Sequence, residues 1–413
     1  MTAAAAVLAI NPGSSSLKAV LRSPDVSLTA GIEHLGTERA RWTATGDGQD
    51  PVSEPFDGDL PAAIARLAEL LARHGVQPDA IAHRVVHGGP SYDRATVITD
   101  TVRETLDALV AWAPLHLPGD LASIDAARRA WPDTVHVACF DTAFHHSLPD
   151  EARRLPLAAQ ADQLGLRRYG FHGLSVQSII DAVPDLGGAV IAHLGSGCSV
   201  TAVSDGRSLH TSMSLTPTGG VMSATRSGDL DPEIPLLLLD RPGATTDSVR
   251  GMLDQDSGLA GIAHGLHDVR DLLAARHHDP AADLALRVFT RSVAMAVAAA
   301  ATALPRWDTL VFTGGIGEHA PAVCGEICRR LTSLRPPLSV RGGPSGDPAA
   351  KVHIGAAAGM RALTATGLRV LIAQADEAAV MDRQTRALLA PATPPAHRAR
   401  AYPRTATVSR RRS

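Results

Sequence analysis

Aromatic side chains make up only 3% of the 413 residues. So few rings exclude a surface on which successive nucleic-acid bases stack. The net charge of −3 also excludes a folded part that is basic enough to bind nucleic acid in general. Hydrophobic residues make up 45% of the chain and charged residues 20%, which excludes global disorder and allows a large buried core. The length is that of two to three domains.

Cysteine and lysine are both scarce. The four cysteines form no CxxC pair, which excludes a zinc site of that kind and predicts free, buried thiols in a reducing cytoplasm. Lys18 and Lys351 are the only lysines, against 37 arginines. Lys18 follows directly on a Gly/Ser-rich turn, so it becomes a candidate binding residue.

Long apolar segments are also lacking. The longest uncharged apolar run covers residues 292–304, which is shorter than the roughly 20 residues that a membrane-spanning helix needs. We expect this run to form a buried, alanine-rich helix. The N-terminus carries no basic region of the kind found in signal peptides. These features predict a soluble cytoplasmic protein with no membrane partner.

Strand-like apolar runs alternate with helical patterns along the chain, which is typical of an α/β fold. The predicted strands cover residues 5–10, 17–21, 81–86, 135–140, 190–194, 199–203 and 309–312. The predicted helices cover residues 60–74, 101–112 and a segment that follows a turn at 313–318 and extends to 331.

Two stretches repeat one pattern, and the C-terminus departs from the rest. Residues 8–20 and 191–203 each read as an apolar strand, a Gly/Ser turn and a second strand, which suggests a duplicated fold with a cleft between its halves.

Residues 391–413 contain six arginines and no acidic residue, which predicts a disordered basic tail. Such a tail is either simply solvated, which is the favoured interpretation, or in contact with nucleic acid or another acidic surface.

Gly/Ser turns at 11–16, 195–199 and 313–317 lie beside apolar strands. Turns of this kind let backbone N–H groups approach phosphate oxygens, although hairpins need glycine in any case. Neither the Walker pattern nor a complete Rossmann fingerprint is present. His83 and His87 flank a strand segment and do not share a face, so we do not predict a metal site there.

Four polar side chains stand next to strand ends or glycines. Arg84 precedes a Gly pair and could present its guanidinium to a carboxylate or phosphate, or form a surface salt bridge. Asp141 ends a strand, where it could face a ligand cleft or cap the next helix. His172 lies between two glycines and could meet a ligand or simply be packed. With Arg226, these residues and a metal ion would meet the needs of phosphoryl transfer.

Ten segments together resemble the acetate/butyrate kinase family of the actin-like ATPase superfamily. They are INPGSSSLK (10–18), HRVVHGG (83–89), APLHLP (113–118), FDTAFH (140–145), RRYGFHG (167–173), HLGSGCS (193–199), TSMSLTPTGG (211–220), TRSGDLDP (225–232), DVRDL (268–272) and FTGGIGEH (312–319). The resemblance implies a duplicated actin-like (ribonuclease H-like) fold with two domains around a nucleotide cleft. The first domain would be 1–142, completed by 377–390, and the second 143–376.

The resemblance also implies an activity and its participants. The activity is the reversible transfer of the γ-phosphate of ATP to acetate, which gives acetyl phosphate and ADP. Mg²⁺ would be the required ion, with Mn²⁺ as an alternative, and the protein would be a homodimer. Related alternatives are a kinase for propionate or butyrate, a different phosphoryl donor, and a nucleotide-binding sensor that has lost catalysis.

Site residues follow from the matching motifs. The catalytic residues would be Arg84, Asp141, His172 and Arg226. The acyl group would meet Val86, Leu115, Phe171 and Pro217, a set that argues against a much larger acid. The nucleotide would meet Ser14, Ser16, Lys18, His193, Leu194, Gly195, Ser196, Gly197, Asp268, Val269, Arg270, Gly315, Ile316, Gly317 and His319. The metal ion would meet Asn11 and Asp376, or Glu377 if the alignment shifts by one residue.

Five positions depart from the family pattern. Ser196 and His319 stand where the family has asparagine, Gly219 and Asp376 where it has glutamate, and Val269 where it has phenylalanine. Most of these lie on the nucleotide side, so they bear on nucleotide preference and rate more than on the acceptor. The four catalytic residues are retained, which favours an active kinase over a sensor.

Overall fold

The computed structural model describes residues 6–13, 16–46, 50–334, 352–354, 360, 364 and 367–390. The predicted tail at 391–413, together with Ser14 and Lys351, lies outside the described residues. The four cysteines are free and buried, as predicted.

The strands in this part of the chain are β1 (Val7–Pro12), β2 (Leu17–Arg22), β3 (Ser27–Glu33), β4 (Arg41–Gly46), β5 (Val52–Pro55), β6 (Ala80–Val85), β7 (Thr96–Val97), β8 (Val135–Phe140), β9 (Ala189–Leu194), β10 (Cys198–Ser204), β11 (Arg207–Thr211), β12 (Thr309–Thr313), β13 (Val352–Ile354) and β14 (Arg369–Ala373).

The helices are α1 (Leu60–Arg73), α2 (Asp100–Asp107), α3 (Leu117–Ala130), α4 (Asp150–Arg153), α5 (Ala159–Gln163), α6 (Gly173–Ala182), α7 (Glu233–Leu239), α8 (Thr246–Asp254), α9 (Gly258–Ile262), α10 (Val269–Ala275), α11 (Pro280–Ala301), α12 (Gly314–His319), α13 (Pro321–Leu331) and α14 (Glu377–Leu389).

The strands form two sheets with related topology. The first has the order β5-β4-β3-β2-β1-β6-β8-β7 and the second the order β11-β10-β9-β12-β14-β13. In the first sheet β1 and β2 form an antiparallel hairpin, and β1, β6 and β8 run parallel. In the second, β9 and β10 form the hairpin, and β9, β12 and β14 run parallel. The sequence repeat therefore corresponds to equivalent hairpins of a duplicated fold.

Helices cover the first sheet because their apolar positions recur at helical spacing. Asp59 caps α1 by accepting a hydrogen bond from the Ala62 amide, and the helix buries Ile64, Leu67 and Leu71 against the sheet and α3. On the other face, Val380 and Met381 of α14 pack against β1, β6 and β8. The returning C-terminal helix thus completes the layer around the first sheet.

Helix α6 lies between the two sheets. Its Leu174 packs with residues of the first sheet and α14, whereas Val176 and Ile179 pack against strands of the second sheet. The first turn of α6 therefore stands where the two halves meet.

The alanine-rich run belongs to α11, which is longer than predicted and ends at Ala301. By length and composition this helix could cross a membrane. Here it buries Leu286, Phe289 and Val293 in the core of the second sheet, while Met295 is exposed on the opposite face. The prediction of a buried helix is confirmed for the face of α11 that packs on the second sheet.

Two boundary predictions were wrong. The helix expected over 101–112 ends at Asp107, and a separate 3₁₀ turn covers Val110–Trp112. The turn expected at 313–317 is instead the first part of α12, and Pro321 begins a new helix because proline has no N–H to continue the old one. Only Gly314 keeps a turn-like positive φ of 76°, and the glycine-rich residues after it are helical.

Candidate active site

Arg84 near the end of β6 is held by two carboxylates. Its Nε donates to Oδ2 of Asp141 at 3.0 Å, and its Nη2 contacts the same oxygen. Its Nη1 lies 3.8 Å from Oδ1 of Asp120. Burial opposes the charge of Arg84, but Asp141 and Asp120 outweigh that effect and raise its pKa. Arg84 is thus a fixed, partly buried cation whose partners Asp141 and Asp120 are buried, so the alternative of a surface salt bridge is wrong.

Asp141 follows β8 and does not cap a helix. No side chain caps the 3₁₀ turn that comes after it, and its Oδ2 faces Arg84. Its Oδ1 is buried and has no hydrogen-bond partner in the protein. An unpartnered buried carboxylate oxygen is available to a ligand or an ion.

Asp120 is a site residue that the sequence analysis missed. It lies in the first turn of α3, fully buried, and its Oδ2 accepts a hydrogen bond from the Val86 amide at 2.7 Å. Burial raises the pKa of Asp120 to about 7, although Arg84 acts in the opposite direction. Asp120 therefore joins α3 to the segment that carries Arg84.

Arg226 approaches the same place from the second half of the chain. Its Nη2 lies 2.7 Å from Nε2 of His116, and its Nη1 donates to the Pro217 carbonyl at 3.3 Å. Burial, with Arg226 and Arg84 nearby, lowers the pKa of His116 to about 3. His116 is therefore neutral, and its Nε2 accepts the hydrogen bond from Arg226.

His172 is held in a left-handed conformation at the start of α6, with φ of 58°. The next residue must be glycine, because a Cβ at Gly173 would lie 2.3 Å from the Asp141 carbonyl. The Nδ1 of His172 lies 3.0 Å from Oγ of Ser199, and its ring stacks on His193 with centroids 4.1 Å apart. Burial, followed by the nearby His193, lowers the pKa of His172, so the ring is neutral.

These side chains surround a central cavity of about 120 Å³ between the two halves. All four predicted catalytic residues line it. The lining residues are Gly13, Arg84, Val86, His116, Asp141, Phe171, His172, Ser196, Gly197, Pro217 and Arg226. Two arginines and two neutral histidines within so small a volume suit a compact anion.

A nucleotide-sized cavity of about 430 Å³ adjoins the central one, and Ser196 lines both. Eight of the predicted nucleotide residues line it, together with three residues that the sequence analysis missed, Ala224, His267 and Ala320. The eight are Gly195, Ser196, Asp268, Val269, Arg270, Gly315, Ile316 and His319. The hydrogen bond from Arg270 is the main reason that the pKa of Asp268 falls to about 2.

Other predicted nucleotide residues lie elsewhere. The side chain of Leu194 is buried in the core of the second sheet, and Gly317 packs against Phe312 behind the cavity. His193 contacts Ser175 and stacks on His172, so it supports the site from behind. Lys18 lies opposite Asn11 in the strand pairing of the first hairpin. The hairpin loop is closed by a hydrogen bond that the Gly13 amide donates to the Ser16 carbonyl.

Comparisons with known proteins identify the family of this chain. The Acetokinase family model matches residues 6–337. The chain belongs to the acetokinase family. It is 40% identical to an acetate kinase of Deinococcus radiodurans over 342 residues, which covers 79% of this chain and 86% of the relative. An acetate kinase of Pseudomonas aeruginosa is 41% identical with the same coverage.

Solved structures share the acetokinase fold. A propionate kinase from Francisella tularensis superposes with a TM-score of 0.80 at 30% identity, over 92% of this chain and 98% of that one. An acetate kinase from Porphyromonas gingivalis gives a TM-score of 0.75 at 27% identity, over 94% and 100%. These likenesses establish the predicted duplicated fold.

Asp376 and Glu377, the two acidic residues that the resemblance offers for a metal ion, have different partners. The Nδ2 of Asn11 donates to Oε2 of Glu377 at 2.7 Å. Burial and the nearby Asp141 raise the pKa of Glu377, while Arg84 opposes that change. Asp376 instead forms an ion pair with Arg22 at 2.8 Å and caps α14. Glu377 was the alternative that the alignment had left open.

The predicted acyl residues do not share one cavity. Val86, Phe171 and Pro217 line the central cavity, whereas Leu115 lines a third cavity of about 360 Å³. Pro217, His116 and Arg226 line both of these cavities.

His116 and Asp120 lie four residues apart at the start of α3. This spacing places them on one helix face and could have marked them in the sequence.

Proposed function

We propose that this acetokinase is an acetate kinase, which transfers the γ-phosphate of ATP to acetate and back in a Mg²⁺-dependent reaction. The observation that carries the proposal is the convergence of Arg84, Arg226 and His172 on a small cavity beside a nucleotide-sized one. We further propose that residues 1–142 with 377–390, and residues 143–376, act as two domains that close over the nucleotide and exclude water. The protein would act as a soluble homodimer in the cytoplasm.

The acceptor needs no general base, because acetate is already ionised near neutral pH. The site must instead bring two anions together, so its task is to offset charge and to align the attacking oxygen with the phosphorus. Arg84 and Arg226 supply two partly buried cations that line the central cavity. Asp141 orients Arg84, and His116 orients Arg226.

His172 would hold the phosphoryl group during transfer. We assign the Ser199 hydroxyl as the donor to Nδ1 of His172, so that Nε2 keeps its hydrogen and points toward Gly197. Because the ring is neutral, it offers one N–H donor and no added charge. Backbone amides of the hairpin at 195–197 and the first turn of α12 would face the other phosphates.

The residues present fit a magnesium ion. The Asn11 amide oxygen, the Glu377 carboxylate and the unpartnered Oδ1 of Asp141 are the oxygen ligands that Mg²⁺ prefers. Within the described ranges no group of three His, Cys, Asp or Glu side chains forms a closed metal site. Mg²⁺ commonly keeps several waters and is held by one or two carboxylates together with substrate phosphates. When bound, it would neutralise charge on the phosphates.

The test is acyl-phosphate formation by the purified protein, with the product trapped by hydroxylamine. Acetate would be compared with propionate and butyrate, and ATP with GTP and pyrophosphate, each with and without Mg²⁺. We expect turnover of acetate with ATP that depends on the metal ion. Nucleotide binding without any product would support a sensor and contradict the proposal.

A further inference from the structure

Asp120 is a buried carboxylate that the mechanism above does not use. It lies in the first turn of α3, and its Oδ2 accepts a hydrogen bond from the Val86 amide at 2.7 Å. Its Oδ1 lies 3.8 Å from Nη1 of Arg84, which is too far for a hydrogen bond but close enough for a strong electrostatic interaction. Asp120 does not line the central cavity, so it can act on a bound ligand only through Arg84.

Two carboxylates therefore share one guanidinium, and they face different parts of it. Asp141 faces Nε and Nη2 of Arg84, whereas Asp120 stands beside Nη1. Among the described residues, no acceptor lies within hydrogen-bond distance of Nη1. Nη1 is thus the part of Arg84 that remains available to an anion in the central cavity, and an anion bound there approaches the Asp120 carboxylate. Two anions held so close repel each other unless one of them takes up a proton.

Few charged groups act on Asp120. Arg84 on β6 favours its ionised form, whereas Asp141 after β8 disfavours it. His116 at the start of the same helix is neutral, and the ion pairs between α2 and α3 do not include Asp120. Helix α1 packs against α3 with apolar side chains, and β1 carries no charged residue. Burial outweighs Arg84 and raises the pKa of Asp120 to about 7, so both of its protonation states are accessible near neutral pH.

We propose that Asp120 is a positioning residue that controls, through Arg84, how tightly the central cavity holds an anion. The inference rests on the proposed kinase function and deepens it. Ionised Asp120 offsets part of the charge of Arg84 and repels the anion, whereas protonated Asp120 leaves that charge to the anion. An anion such as acetate therefore binds with uptake of a proton from solvent, and it binds more tightly at lower pH. Oδ1 then carries the proton, and Oδ2 keeps accepting from the Val86 amide.

The first test measures the KM for acetate against pH in the wild type and in two variants of α3. Asp120→Asn removes the charge and keeps an oxygen for the Val86 amide. Asp125→Asn is the matched control, because it makes the same change on the same helix at a carboxylate that pairs with Arg103 instead. Steady-state rates would be measured with ATP and Mg²⁺ from about pH 6 to about pH 8.5, a range in which acetate stays ionised.

We expect the wild-type KM for acetate to rise about three- to tenfold over this range as Asp120 ionises, the change that one nearby charge makes in a partly solvated site. Asp120→Asn should lower this KM about three- to tenfold at the alkaline end and leave it within about twofold at the acid end. Asp125→Asn should follow the wild type. A loss of packing alone would lower kcat or stability at every pH and would not flatten the dependence of KM on pH.

Three results would overturn the inference. The wild-type KM for acetate does not rise with pH, it rises equally in Asp120→Asn, or Asp125→Asn flattens its rise to the same extent as Asp120→Asn. The first of these needs no variant, so it applies even if Asp120→Asn does not fold.

A second test separates binding from catalysis by using sulfate, whose charge is constant in this range, as the anion. Isothermal titration calorimetry at about pH 7.5, in two buffers of different ionisation enthalpy, counts the protons taken up on binding. The wild type should take up protons and Asp120→Asn should not, and equal uptake would overturn the inference. Absence of acetate turnover together with uptake that depends on Asp120 would contradict the proposed function but support this role of Asp120.

Discussion

Replacing Arg226 by lysine separates the shape of its guanidinium from its charge. In the structure the guanidinium donates one hydrogen bond to His116 and another to the Pro217 carbonyl. Its remaining N–H groups face the central cavity. Lysine keeps the positive charge but offers its donors from a single atom. It cannot satisfy His116 and hold an anion in two-point fashion at the same time.

We expect Arg226→Lys to lower kcat by about 10²–10³-fold, the usual effect of removing one preorganised donor from the transition state. The KM for ATP should remain within about twofold of wild type, because Arg226 does not line the nucleotide cavity. The measurement is hydroxylamine-trapped acyl phosphate at varied acetate and ATP concentrations. Arg241→Lys, at an exposed position away from the three cavities, is the matched control.

Retention of more than about a tenth of the wild-type kcat would refute this reasoning, because charge alone would then suffice. A rise in the KM for ATP that accounts for the whole loss would refute it as well. Circular dichroism of the variant would verify that the fold is intact.

Two further predictions concern carboxylates. Asp120 has a raised pKa of about 7, so the folded protein holds this proton more tightly than the unfolded chain, and stability falls as pH rises from about 4 through 7. Asp120→Asn should therefore weaken the pH dependence of stability. In differential scanning fluorimetry, the Tm difference between wild type and variant should change between pH 5 and 8. Parallel curves of Tm against pH would contradict this. Glu377→Gln should raise the Mg²⁺ concentration for half-maximal activity by about tenfold or more. Asp376→Asn, which loses the ion pair with Arg22, should lower Tm and leave that concentration unchanged; the reverse pattern would restore Asp376 as the metal residue.

Local sequence determined the elements and their order. The apolar runs of β8 and β12 and the spacing of Ile64, Leu67 and Leu71 in α1 predicted strands and helix within a residue or two. The glycine-rich start of α12 was misread in part, because glycine often signals a turn. Gly314 does take a positive φ of 76°, as a turn residue would, beside the carbonyl of Leu194 from the neighbouring strand, but a short helix follows it.

Motifs in the sequence alone marked four candidate residues for catalysis. Arg84, Asp141, His172 and Arg226 were all identified before any geometry was known, and the structure brings them to one cavity. They could be found because each stands next to a glycine or a strand end, where the local pattern is unusual.

Only the tertiary structure decided which groups partner them. His116 and Asp120 come from one helix start and reach Arg226 and Arg84, which lie far away along the chain. Their spacing could mark the two residues, but no local pattern predicts which arginine each one contacts. The different partners of Asp376 and Glu377 were also beyond the sequence, since both are carboxylates at adjacent positions. Capping of α14 and the ion pair with Arg22 hold Asp376, whereas Glu377 meets Asn11, because successive side chains at a helix start point in different directions.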